Sequence, residues 1–115
     1  MKGLDRVALE QVAEYFKSMA EPTRLQLLNA LRGGEMTVSE LAEQAGSTAA
    51  NVSKHLSLLA KNGFVERRGQ GTSVYYHITD PDIYSLCDLV CGQIAKRLSA
   101  QSNRQAAFRR AAKRV

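Results

Sequence analysis

The fold class this sequence predicts is mainly α with a small β-wing, and three patterns predict it. Two short helical patterns flank a single glycine turn between Thr37 and Leu59. At Phe64 the apolar period shortens from three-and-four to two, the spacing of strands. After Asp80-Pro81 the helical period returns and runs to Leu98. A helix-turn-helix followed by a hairpin and a closing helix is a winged helix-turn-helix. It is expected over residues 1–98, with a basic tail over 99–115.

The first helical pattern covers residues 4–19, with Leu4, Val7, Ala8, Val12, Tyr15, Phe16 and Met19 on one broad apolar band. Glu21-Pro22 ends it, because the residue before proline avoids helical backbone and proline suits the first turn of a new helix. The second helix should run from Pro22 to about Leu31, burying Leu25, Leu28 and Leu31 with Leu27 at the margin. Arg32-Gly33-Gly34 stops it.

In the third helix Val38, Leu41, Ala42 and Ala45 share a face. Thr37 can cap it, with Glu40 in the place of a capping-box carboxylate, and Gly46 can end it in left-handed backbone. Ser47 or Thr48 can cap the fourth helix, which buries Val52, Leu56 and Leu59. Its other face is Thr48, Ala49, Asn51, Ser53, Lys54 and His55: small, rich in hydrogen-bonding groups and without an acid. A solvated face of a helical hairpin usually mixes longer Glu and Lys side chains. Small polar residues let a helix approach closely, as entry into a DNA major groove requires.

Phe64–Arg68 and Ser73–Ile78 are two strand candidates, joined by Gly69-Gln70-Gly71-Thr72 as the hairpin loop. Arg67, Arg68, Gln70, Thr72 and Ser73 gather at the tip with no acid, which suits phosphates or an adjacent minor groove. Tyr75 and Tyr76 suit wing packing better than base stacking. The last helix is expected from Asp82 to Leu98, capped by Asp80 or Thr79, with Ile83, Leu86, Cys87, Val90, Ile94 and Leu98 in one stripe. Such a stripe is too apolar to face water and predicts a dimer interface. Ser99 to Val115 is expected to continue as helix or to fray.

The chain has 115 residues, enough for one modest domain whose core is completed by dimerisation. No apolar run approaches the roughly 20 residues of a membrane span. Met-Lys-Gly-Leu-Asp-Arg lacks the apolar run of a secretory signal, so a cytoplasmic location is expected. Net charge is +5, unevenly spread. Residues 1–95 hold nine Lys or Arg against eleven Asp or Glu, a balance of −2, while residues 96–115 hold seven Lys or Arg and no acid, or +7. The basicity belongs to the tail and does not by itself prove a DNA-binding core.

Cys87 and Cys91 are one helical turn apart, with an axial rise of about 6 Å. Three readings of them stand. Cysteine packs as a small hydrophobe, and Cys87 falls in the apolar stripe. The pair can also react with thiol-directed sulfur species or oxidants, or hold a thiophilic metal ion or arsenite. A disulfide between them within regular helix would be strained. An enzyme has no support: nucleophile elbow, phosphate-cradling glycine loop and credible carboxylate pair are all missing. A winged helix used only for protein contacts fits the polar recognition face and basic wing poorly.

The order of these elements, with the blocks Met19-Ala-Glu-Pro-Thr-Arg-Leu25, Thr37-Val-Ser-Glu-Leu-Ala42, Asn51-Val-Ser-Lys-His-Leu56 and Gly71-Thr-Ser-Val-Tyr-Tyr-His77, resembles the ArsR/SmtB family of dimeric winged-helix repressors. The match covers residues 5–98. The resemblance implies a homodimer built by the first and last helices, a double-stranded operator as partner, and an inducer that loosens DNA binding. Two departures stand out. Arsenic sensors of the family carry Cys-Val-Cys where this chain has Thr37-Val-Ser39, and zinc sensors carry histidines on the last helix, where this chain has none. No cofactor is therefore assigned beyond the possible chemistry of Cys87 and Cys91.

Overall fold

The computed structural model describes residues 1–113, so Arg114 and Val115 of the basic tail lie outside the described residues. Met1–Asp80 forms one compact unit, and the chain from Pro81 onward forms a second.

In the first unit α1 spans Arg6–Met19, and the Asp5 carboxylate accepts from the Ala8 amide at 2.9 Å to cap it. Helix α2 spans Pro22–Ala30, capped by Glu21 and opened by Pro22, and a 3₁₀ turn over Leu31–Gly33 follows. Leu27, Leu28 and Leu31 are buried, whereas Leu25 is 43% exposed. This corrects the expectation that Leu25 is buried and Leu27 marginal. At 3.6 residues per turn, Leu27, Leu31 and Leu28 fill an arc of about 100°, and Leu25 falls about 60° outside it.

A two-residue strand β1, Met36–Thr37, leads directly into α3, Val38–Ala45. Thr37 and Glu40 form the reciprocal capping box, and Gly46 closes the helix at φ 62°, a left-handed conformation that costs glycine little. Helix α4, Ala49–Lys61, buries Val52, Leu56 and Leu59. With Leu27, Leu28, Leu41 and Val65 these are the largest fully buried side chains, each worth roughly 1.5–3 kcal/mol of burial. Helix α4 packs on α1, α2, α3 and the first wing strand, so its apolar side is fixed by four neighbours.

The wing is β2, Val65–Gln70, and β3, Ser73–Ile78. Together with β1 they form an antiparallel sheet in the order β1-β3-β2, Met36 pairing with Tyr76 and Arg67 also with Tyr76. The strand at β1 is too short to leave a period in the sequence and was not expected. The connection is also tighter than expected: Gly69 and Gln70 belong to β2, and Gly71-Thr72 alone makes the turn. Gly71, at φ 62°, supplies the positive φ that the first central residue of a type II′ turn requires. Tyr15 of α1 lies against Phe64 at the wing base, ring centroids 4.5 Å apart.

In the second unit a single helix α5 runs Asp82–Lys113. Its 32 residues span about 48 Å, so the tail from Ser99 continues the helix as far as it is described. Ala100, Ala106, Ala107, Ala111 and Ala112 are strong helix formers and carry it on. Of the apolar stripe, Ile83 is buried and Leu86 and Cys87 half-buried, whereas Val90, Ile94 and Leu98 are exposed in the single chain. Val7 and Phe16 of the α1 band are exposed in the same way. Among the described residues no helix is long and apolar enough to cross a membrane.

Candidate nucleic-acid interface

Helix α4 turns its fixed apolar side inward and leaves a row of small polar residues outward. Ser47 and Ser53 are half-exposed, and Thr48, Ala49, Asn51 and Lys54 are exposed. The Thr48 hydroxyl accepts from the Asn51 amide at 3.1 Å and caps the helix, and the Asn51 side-chain amide donates to Ser47 Oγ at 2.9 Å. These bonds hold the amino-terminal turn in one conformation. The exposed Asn51 carboxamide keeps a carbonyl oxygen and a second amide proton beyond that bond.

His55 departs from its expected place among the freely exposed DNA-facing residues. Its side chain is only 16% exposed, and Nδ1 lies 3.2 Å from Arg24 Nη1 and 3.7 Å from Glu21 Oε2. Arg24 and Glu21 thus both approach the same ring nitrogen and hold the imidazole against α2. The same Arg24 donates through Nε to the Ser18 carbonyl at 2.6 Å and through Nη2 to the Lys17 carbonyl at 3.4 Å. One side chain thus satisfies the open carbonyl end of α1 while gripping α4. Burial tends to raise the Glu21 carboxyl, but hydrogen bonds from the Arg24 and Thr23 amides and the nearby His55 bring it below its ordinary value. Arg24 and Glu21 are the positioning residues beside α4 that helical periodicity did not single out. The signal was the block Glu-Pro-Thr-Arg, read there as a helix boundary and as part of a family block, with no role given to either side chain.

The wing also separates its two arginines. Side chains alternate along a strand, so Val65, Arg67 and Gly69 share one face, and Glu66, Arg68 and Gln70 the other. Arg67 is exposed, and its guanidinium makes no ion pair or hydrogen bond among the described residues. Arg68 is committed. Its Nη2 and Nε donate to the two carboxylate oxygens of Glu35 at 2.6 and 3.2 Å, Nη1 donates to Gln70 at 3.0 Å, and the guanidinium lies 4.9 Å from the Tyr75 ring centroid. Arg68 was expected to serve phosphates; within the chain its charge is also matched by Glu35, just ahead of β1, a pair that ties the wing to the sheet edge. Thr72 and Ser73 are exposed beside the turn, and Gln70 is exposed while its side-chain oxygen accepts from Arg68.

Glu35 provides a test of that pin. The hydrogen bond from Arg68 holds its carboxyl below the ordinary 4.5, with desolvation opposing. The folded state therefore binds fewer protons than the unfolded one near that pH. The pair's contribution is fully present above pH 4.5 and is lost as pH falls through the lowered folded value. An NMR titration should show Glu35 protonating with loss of the Arg68 Nε signature and of β1 pairing. Glu35→Gln should remove that acid limb while leaving α4 ordered.

Cys87 is half-buried and Cys91 exposed on α5, both as thiols. Among the described residues no group of three or more His, Cys, Asp or Glu is placed to hold a metal ion. Two sulfurs suit a soft ion by donor type, but one chain supplies too few donors for the tetrahedral or trigonal shells such ions prefer.

Residues 19–68 match the family described as a helix-turn-helix domain. A homodimeric winged helix-turn-helix DNA-binding domain from Mycobacterium bovis, a possible ArsR-family transcriptional regulator, is 34% identical and superposes with a TM-score of 0.72, over 87% of this chain and 95% of that one. The chain belongs to the ArsR/SmtB family. A probable mercury resistance operon repressor of Streptomyces lividans is 39% identical over 77 residues, 67% of this chain. The chain spans 62% of that relative's length. The antimony-specific transcriptional repressor AntR is 29% identical with a TM-score of 0.72, over 86% of this chain and 90% of that one. These relatives carry the names of regulators and repressors, not of enzymes.

The ArsR/SmtB blocks in this chain now have physical roles. Met19–Leu25 forms the α1–α2 junction with its Arg24 clasp, and Thr37–Ala42 forms the capping box at the start of α3. Asn51–Leu56 alternates the outward row with the buried Val52 and Leu56. Gly71–His77 makes the wing turn and β3, with Tyr76 buried beneath it.

Proposed function

We propose that this ArsR/SmtB-family chain is a cytoplasmic homodimeric repressor that binds a near-palindromic double-stranded operator and is released by an inducer acting at the dimer interface. Residues 1–98 supply DNA binding and dimerisation, and residues from 99 onward form a basic extension. The observation that carries the DNA reading is α4 itself. It has a rigid, acid-free outer row of small polar side chains on a helix whose inner side is locked into the core. Ser47, Thr48, Ala49, Asn51, Ser53 and Lys54 would meet the major groove, and Arg67, Gln70, Thr72 and Ser73 the backbone beside it. Arg68 and His55 would position the wing and the helix rather than read DNA.

The dimer reading is supported by the exposed apolar residues of α1 and α5 and by the homodimeric Mycobacterium bovis relative. For the inducer, a thiol-reactive sulfur species or oxidant acting at Cys87 and Cys91 is the first candidate, and a thiophilic metal ion or arsenite the second. The names of the mercury-operon and antimony-specific relatives favour keeping the second in view. A full shell of sulfur donors would then have to draw on both subunits.

Selection from a pool of random duplexes tests the reading. The full chain should enrich a site of two inverted half-sites with centres about one helical turn apart. Asn51→Ala should cost about 1–3 kcal/mol at one base position and relax selection there, whereas Arg67→Ala should weaken all sequences alike. Enrichment of a lone half-site bound by one chain would overturn the dimeric mode.

A further inference from the structure

The outer half of α5 carries charge that the reading surfaces do not account for. Residues 1–95 hold nine Lys or Arg against eleven Asp or Glu, so the region that would read DNA has a balance of −2. A duplex repels such a region at long range, whatever its local contacts. The seven remaining basic residues all lie at 96–115, where there is no acid. Of these, Lys96, Arg97, Arg104, Arg109 and Arg110 are exposed on regular helix and make no ion pair or hydrogen bond among the described residues. The nearest preceding acid is Asp88, two turns before Lys96.

Basic residues near a helix carboxyl end also complement its dipole, but that effect fades within the last turn. Lys96, Arg97 and Arg104 lie well before the last turn of a helix that reaches Lys113. Unrelieved like charge along a helix disfavours it by mutual repulsion, and a polyanion removes that cost. From Lys96 to Arg110 the helix is about 22 Å long, which matches on the order of six base pairs of duplex. The segment's five basic side chains outnumber its three amides, Gln101, Asn103 and Gln105, of which only Gln101 and Gln105 share a helix face.

We infer that the α5 segment from Lys96 to Arg110 is an arm that binds the phosphate backbone of duplex DNA flanking the operator, without selecting bases. This rests on the reading of the chain as a DNA-binding dimer. The arm supplies the long-range attraction that the acidic core lacks and lengthens the bound footprint beyond the two half-sites.

The test uses the full chain and its R104Q/R109Q/R110Q variant, titrated by fluorescence anisotropy across a series of salt concentrations. The probes are the selected duplex with ten flanking base pairs on each side, the same duplex trimmed to the half-sites, and a random-sequence duplex. The variant should bind the flanked and random duplexes more weakly, with a log–log salt slope shallower by about 0.9 for each phosphate that is no longer neutralised. On the trimmed duplex it should match the parent. R104K/R109K/R110K, which keeps the charge, should behave as the parent throughout, and circular dichroism should show equal helix in all three. Equal slopes for parent and glutamine variant on the flanked duplex overturn the arm while leaving the DNA reading intact. So does loss of binding in the lysine variant, because the carrier would then not be charge. A shift in dimer formation at unchanged slope assigns the segment to self-association instead. If the parent itself binds no duplex, the DNA reading and the arm fall together.

Discussion

Leu56→Ala is expected to destabilise the fold by about 2–5 kcal/mol and to abolish DNA binding at temperatures where the parent is fully active. Leu56 has no exposed surface and sits on the inner side of α4, between the equally buried Val52 and Leu59. Shortening it leaves a cavity beneath the recognition helix that the four elements packed around α4 cannot all close at once. Lys54→Ala, two residues earlier on the exposed side, should change stability by less than about 0.5 kcal/mol. It should still weaken duplex binding, because a positive charge on the proposed major-groove face is removed. Denaturant melts paired with duplex titrations separate these effects. A Leu56 variant that melts like the parent would show that α4 is not held by its apolar side.

What the sequence revealed of the fold and what it hid divide along one physical line. The helices were readable because their determinants are local. The capping box of Thr37 and Glu40, the left-handed Gly46 and the Val52-Leu56-Leu59 row each act within a few residues. The hairpin was readable as a change of period, but its turn was placed two residues too wide. Gly69 looks like a loop residue until the pairing of Gly69 with Val74 is known. Strand β1 was invisible because two residues carry no period, and its partner lies almost forty positions away.

The candidate site was readable as a surface but not as a set of separate roles. Periodicity put His55 and Arg68 on the correct elements, yet it could not show what approaches them from elsewhere in the chain. Arg24 reaches His55 across 31 positions, and Glu35 reaches Arg68 across 33. Both contacts give a residue expected on the DNA-facing surface a partner within the chain as well. The same gap explains why Arg24, which joins the end of α1 to the recognition helix, carried no functional expectation.

The double substitution Cys87→Ser and Cys91→Ser is expected to leave operator binding intact and to abolish release by the physiological inducer. A ligand shifts DNA affinity only through its differential affinity for two dimer geometries. A coupling of about 1–3 kcal/mol corresponds to roughly 5–150-fold in operator affinity. Helix α5 is suited to carry that coupling if it forms the dimer seam, since Val90, Ile94 and Leu98 are exposed in the single chain and lie on the same stripe as Cys87. Cys91 is open to small reagents, and Cys87 is half-buried one turn before it, so a modification that links or bridges them must disturb that stripe. Serine keeps the size of each side chain while removing the soft sulfur, so packing is little altered and reactivity is lost. Release should be measured with a persulfide donor, peroxide, arsenite and cadmium on the parent, each single variant and the double variant. A persulfide or peroxide response that needs both thiols supports a sulfur or oxidant switch, and an arsenite or cadmium response that needs both supports thiolate coordination across the dimer. If the double variant is released as readily as the parent, the two cysteines are packing residues of α5, and the sensing chemistry lies elsewhere in the chain.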